Sequence, residues 1–191
     1  KARIDQMNAQ AEDIAALGYI GFAIDMYGKN VTADNPTDAS ALSDPFFKDR
    51  RLMRARAHAA LETLKQQPHV DAARLGAMGY CFGGTACLEM ARAGEDLRGV
   101  VSFHGGLATS MPAHRGMVKA HILALNGGAD PFVPDEQKQS FIEEMTDADV
   151  HFKSIDYPGV THAFTNPEAD IRGKKFGLPL AHNKEADQKS F

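Results

Sequence analysis

The chain has only two cysteines in 191 residues, no cluster of lysines and arginines beyond the short run at Arg50–Arg56, and no apolar run approaching the length of a membrane span. Each scarcity excludes a class of function. Cys81 and Cys87 stand six positions apart, which suits neither a disulfide framework nor a zinc site of paired ligands, so a reducing compartment is expected and no metal is assigned. The formal net charge is -4, and without concentrated positive charge the chain does not read as a nucleic-acid binder. A small or neutral partner fits better. The start, Lys1-Ala2-Arg3-Ile4-Asp5, has no apolar signal core, so a cytoplasmic protein with no membrane association is expected. An initiator methionine is also missing, and the chain opens inside a helical pattern, so further residues are expected upstream.

What remains is an ordinary globular composition, 43% hydrophobic and 24% charged, at a length that suits one domain over 1–191. Ile4, Met7, Ala11, Ile14 and Leu17 recur at helical spacing, with Gly18 as a cap before a buried strand at Tyr19–Ile24. The polar stretch Asn30–Asp44 reads as a surface excursion. Met53, Ala57, Ala60, Leu61 and Leu64 mark a helix running to about Gln67, before Pro68. Strands are expected at Arg74–Met78, Gly99–Phe103, Ala120–Leu125 and Val150–Ile155, with helices at Thr85–Arg92 and about Pro134–Thr146. This alternation implies an α/β fold, a mostly parallel sheet with helices on both faces. No internal repeat or interdomain linker is visible.

Gly79-Tyr80-Cys81-Phe82-Gly83-Gly84 has the small-x-nucleophile-x-small form of a nucleophile elbow, with cysteine where serine is usual. A sharp strand-to-helix turn brings the flanking residues close to neighbouring backbone, so glycine is expected to be required there. In a parallel sheet, reactive groups collect beyond the carboxyl ends of the strands. The loop after Leu125 supplies Asp130, and the loop after Ile155 supplies His162. The order nucleophile, acid, base is that of α/β-hydrolases and differs from the chymotrypsin and subtilisin orders. A thiol gains its nucleophilicity as thiolate, an imidazole can take its proton, and a carboxylate fixes that imidazole's tautomer. The backbone N–H of Phe82, at a helix N-terminus, is expected to form half an oxyanion hole.

Five blocks, Ala23–Gly28, Gly79–Gly84, Ser102–Gly105, Gly128–Pro134 and His162–Phe164, occur in an order that resembles the dienelactone hydrolase family of α/β-hydrolases. The resemblance implies a Cys81–Asp130–His162 triad, hydrolysis of lactones or small esters, and no cofactor. It also implies that the family's first strands, carrying a second oxyanion donor and a glutamate partner for the resting cysteine, precede Lys1. Dienelactone-cleaving members place an arginine shortly after the histidine, whereas Thr165–Asp170 offers none and Arg172 lies too far along. A neutral ester or lactone is therefore the expected substrate.

Other residues carry competing readings. Cys87 reads as a small buried hydrophobe. Among eight histidines, His58, His69, His114 and His182 sit in polar or helical surroundings, while His104, which also follows a strand, rivals His162 as base or else makes a loop hydrogen bond near the site. Tyr27, Phe82, His104, Phe132 and Phe164 are candidate pocket walls, each aromatic equally suited to core packing. Asp25 is expected to fix its following loop. The Arg50–Arg56 run reads as a solvated helix face. Two alternatives stay open: a thiol-dependent hydrolase of other activated esters such as phosphotriesters, and a non-catalytic or redox-sensing ligand binder using Cys81.

Overall fold

The computed structural model describes residues 2–29 and 31–190, with side chains from Ala9 onward. It divides into two compact units, Lys1–Ala72 and Ala73–Phe191. The first unit is helical. Helix α1 (Ala2–Ala16) closes on Gly18 at φ +90°, where Tyr19 N–H reaches the Ile14 carbonyl at 3.4 Å. The side chains of Ile4 and Met7, expected on its apolar face, lie outside the described residues, as does Asn30.

The strand expected at Tyr19–Ile24 is absent. These residues join no sheet among the described residues, and Tyr19 and Ile20 are 65% and 48% exposed. An apolar run of that length becomes a strand only where a ladder partner satisfies its backbone. Asp25 behaves as expected, its Oδ1 accepting the N–H of Gly28 at 2.8 Å.

The expected polar excursion is largely a helix, α2 (Pro36–Lys48). Asn35 caps it by accepting the Asp38 N–H at 2.9 Å, while its amide donates to the Asp38 carboxylate at 2.8 Å. With Pro36 at the first helical position, this is a complete start signal embedded in a polar stretch. Asp49 ends α2 and begins α3 (Arg50–Lys65), accepting the N–H groups of Arg51 and Leu52. Met53, Ala57 and Leu61 are buried on α3 at the expected spacing. The solvated reading of the arginine run fails at Arg50, which is buried with its guanidinium 5.0 Å from the Phe47 ring centre.

The second unit holds the sheet. Strands β1 (Gly76–Tyr80), β2 (Gly99–Phe103), β3 (His121–Gly127) and β4 (Phe152–Tyr157) run parallel in sequential order. Alternation within the pleat splits their side chains between two faces. Tyr80, Phe103, Leu125 and Ile155 meet Val160, Phe164 and Ala186, the last on helix α7 (Lys184–Ser190). On the other side, helix α4 (Phe82–Arg92) packs against β1 and β2, and Phe141 of α5 (Asp135–Asp147) meets Phe152 with ring centres 6.0 Å apart. Both faces are therefore covered, as a parallel sheet requires.

Fully buried Arg92 anchors the far end of α4. It pairs with Glu89 at 3.0 Å and Glu144 of α5 at 2.7 Å, and donates to the Leu107 carbonyl. Two short polar helices, α6 (Ala169–Phe176) and α7, have no counterpart in the sequence reading. Such lengths are marginal alone, and tertiary burial of Ala169, Gly173 and Ala186 holds them.

Candidate active site

Cys81 sits between β1 and α4 at φ 51°, ψ −119°, a region an L-residue occupies only when its surroundings impose it. Its N–H bonds the Phe103 carbonyl at 3.0 Å, and its carbonyl accepts the Thr85 N–H at 3.1 Å, which pins both sides of the turn. A Cβ on Gly79 would fall on the Gly83 carbonyl group and 2.8 Å from the Gly84 nitrogen, so only glycine fits there. Gly83 differs from expectation: a Cβ at that position meets nothing within 4 Å. Its contribution to the turn is the backbone that Gly79 approaches.

The two partner loops are fixed in turn by backbone bonds. Ala129 N–H reaches the Val160 carbonyl at 2.9 Å and Gly128 N–H the Tyr157 carbonyl at 2.8 Å, which sets the loop after β3 against the loop after β4. Close approach at Gly127, where a Cβ would strike the Val160 carbonyl, permits this pairing. The His162 segment is held from the other side, because Ala181 N–H bonds the His162 carbonyl and Asn183 N–H bonds that of Phe164.

These constraints place three of the expected site residues in one chain of contacts. Sγ of Cys81 lies 3.1 Å from Nε2 of His162, and Nδ1 of His162 lies 2.7 Å from Oδ2 of Asp130. The other Asp130 oxygen accepts the Phe132 N–H at 2.9 Å, which leaves the 3%-exposed carboxylate with a partner for each oxygen. His104 also meets the sulfur, with Nδ1 at 3.3 Å, while its Nε2 faces Thr165 Oγ1 at 2.9 Å. His104 thus touches the Cys81 sulfur, and Thr165 rather than a carboxylate holds its second nitrogen. Thr165 carried no signal in the sequence.

Backbone strain gathers at the same place. His104 has φ 40° and Ala163, next to His162, has φ 62°, so all three loops that meet at the sulfur contain a non-glycine residue in the left-handed region.

Electrostatics follow from the contacts. Burial pushes the Cys81 thiol up, but the charges and hydrogen bonds of His104 and His162 overcome it and bring the value down from 9.0 to about 5. Burial works against the His162 imidazolium, yet its hydrogen bonds and charge attraction to Asp130 and Cys81 raise it from 6.5 to about 10. The two shifts run in opposite directions, the thiol down and the imidazole up, and together favour a thiolate–imidazolium pair. Cys87 shows the contrast, since burial without a partner pushes its thiol up to about 12.

The pocket candidates separate. Phe132 is 47% exposed, with its ring edge-on to His162 at 5.1 Å. Phe82 is half-buried at the first turn of α4. Phe164 is fully buried in the core, 5.1 Å from the His104 ring. Tyr27 belongs to the first unit, where its ring lies 6.0 Å from that of Phe46. Arg172 pairs with Glu168 at 3.6 Å.

The dienelactone hydrolase family pattern matches residues 2–191, the length of both units. The chain belongs to the dienelactone hydrolase family. An uncharacterized Caenorhabditis elegans protein is 35% identical over 119 residues, 61% of this chain and 75% of that protein. A carboxymethylenebutenolidase homolog of Mus musculus is 26% identical over 159 residues, 82% of this chain and 63% of its own length. The crystal structure of P91, a dienelactone hydrolase-like promiscuous phosphotriesterase from metagenomic libraries, superposes with a TM-score of 0.88 at 34% identity, over 96% of this chain and 75% of that one. The fold is accordingly that of the α/β-hydrolases, and the chain is a hydrolase-family member. No helix among the described residues is long and apolar enough to cross a membrane.

Proposed function

We propose that the chain hydrolyses small esters or lactones in a carboxymethylenebutenolidase-like reaction, with Cys81 as nucleophile, His162 as acid and base, and Asp130 orienting His162. The observation that carries this reading is the unbroken run from Cys81 Sγ to His162 Nε2 at 3.1 Å and from His162 Nδ1 to Asp130 at 2.7 Å. The thiolate attacks the substrate carbonyl carbon, and charge develops on the carbonyl oxygen. The Phe82 N–H at the start of α4 supplies one donor to that oxyanion. As the carbon–oxygen single bond breaks, the His162 imidazolium gives its proton to the departing alkoxide, which in a lactone stays tethered to the acyl group.

The product of this half is a thioester on Cys81. Its sulfur is uncharged, so the hydrogen bond and attraction that Cys81 gave the His162 imidazolium are gone while those of Asp130 remain, and the neutral His162 that has given up its proton becomes the base that takes a proton from water. Hydroxide equivalent adds to the thioester, the carbon–sulfur bond breaks, and the acid product leaves the thiolate–imidazolium pair restored. A thiolate departs readily, which favours activated or strained carbonyls over amides.

Turnover of an aryl acetate by wild type and Cys81→Ala, each with its thermal melt, tests the assignment. The variant loses turnover and keeps its melt; turnover retained in Cys81→Ala overturns it. A second reading, hydrolysis of phosphotriesters, is supported by the likeness to P91 over 96% of the chain. There the thiolate bonds phosphorus, expels an aryloxide, and is released when water attacks the phosphorus. Aryl phosphotriester turnover that also disappears in Cys81→Ala places both substrates on one sulfur.

A further inference from the structure

We propose that Sγ of Cys81, Nδ1 of His104 and Nε2 of His162 form a three-ligand site for a borderline-soft divalent cation, zinc foremost. The three atoms lie within 4.8 Å of one another, with the sulfur 3.3 Å from His104 and 3.1 Å from His162. Around a tetrahedral zinc, with bonds of about 2.3 Å to sulfur and about 2.0 Å to nitrogen, sulfur–nitrogen separations come to about 3.6 Å. The two sulfur–nitrogen separations, 3.3 and 3.1 Å, therefore open by about 0.3 and about 0.5 Å to admit the ion.

The donor set is selective. One thiolate and two imidazoles favour zinc or copper and offer nothing to magnesium or calcium, which seek oxygen. The outer ring of contacts is also in place. Asp130 bonds Nδ1 of His162 at 2.7 Å and Thr165 meets Nε2 of His104 at 2.9 Å, so the nitrogen left over on each ring is the one beside the sulfur. That is the carboxylate–histidine–metal arrangement, with a hydroxyl serving the second histidine.

Burial and charge agree with this assignment. His104 and Asp130 are 1% and 3% exposed, whereas Cys81 and His162 remain partly open to solvent. The Cys81 thiolate and the Asp130 carboxylate together offset the two positive charges of the ion. On binding, the His162 imidazolium releases its proton to solvent, because only the neutral ring offers Nε2 as a ligand. The ion then occupies the lone pairs of both sulfur and base, so occupancy stops the thioester chemistry proposed above. The binding itself does not depend on that chemistry.

Metal-free protein titrated with Zn²⁺ in a calorimeter, and with Co²⁺ by absorbance, reads the site without substrate. One ion per chain and a thiolate-to-cobalt charge-transfer band are expected, together with zinc inhibition of ester turnover that a chelator reverses. His104→Phe lowers zinc affinity at least about a hundredfold, and Thr165→Val, which keeps all three ligands, lowers it about tenfold or more. Cys87→Ala binds like wild type. Absence of stoichiometric binding, absence of the charge-transfer band, or an affinity unchanged in both His104→Phe and Thr165→Val overturns the proposal; the last outcome moves the ion elsewhere, for instance to the exposed His121–His151 pair, whose rings lie 4.2 Å apart. If ester turnover is absent while binding follows this pattern, the hydrolase reading fails and the metal site stands.

Discussion

Nδ1 of His104 lies 3.3 Å from the sulfur of Cys81, so two imidazoles meet that sulfur, His162 being the other at 3.1 Å. Only His162 has a carboxylate behind it. The two rings divide the work on this account: both hold the thiolate, and His162 alone moves protons.

That division sets the pH dependence of the sulfur. A lowered value means the thiolate exists above about 5 and is lost as pH falls through it. Alkylation of Cys81 by iodoacetamide, followed by mass spectrometry, is expected to rise with pH around 5 and to be flat through neutrality, where an ordinary thiol is still climbing. In His104→Phe one of the two stabilising imidazoles is gone, and the inflection moves up by about one to three pH units. An unchanged inflection contradicts the role given to His104.

Asp130→Asn removes the charge that fixes the His162 tautomer and stabilises its cation. Turnover of an aryl ester is expected to fall by about two to four orders of magnitude, with the melting temperature little changed. The fall should appear mainly in kcat, because the carboxylate touches no substrate in this scheme. Equal kcat in variant and wild type would remove Asp130 from the mechanism.

Gly79→Ala and Gly83→Ala make a matched pair. The first drives a methyl group into the Gly83 carbonyl, and overpacking of that kind costs about 1–3 kcal/mol. The second adds a methyl group in open space on α4, where alanine is the better helix former by about 1 kcal/mol. Thermal melts should separate them, Gly79→Ala lower and Gly83→Ala at or above wild type.

How far the sequence was legible depended on where each signal was stored. Gly99–Phe103 coincides with β2 and the elbow lies where its glycines indicate, because buried parallel strands and tight turns write themselves into local composition. Asn35-Pro36 with Asp38 announced α2, but a polar background hid it. Tyr19–Ile24 misled in the opposite sense, since an apolar run says nothing about whether a ladder partner is present. The contacts of His104 with Cys81, 23 positions away, and with Thr165, 61 positions away, are tertiary. No periodicity records such contacts, and only the placement of His104 after a strand marked it out.

The most direct measurement is the mass of the protein quenched with acid within the first turnovers of an activated lactone or aryl ester. Wild type is expected to carry one acyl group, located on Cys81 by peptide mapping and cleaved by hydroxylamine, with none on Cys81→Ala. Turnover with no acyl group on Cys81, or the same acyl adduct in Cys81→Ala, would contradict it.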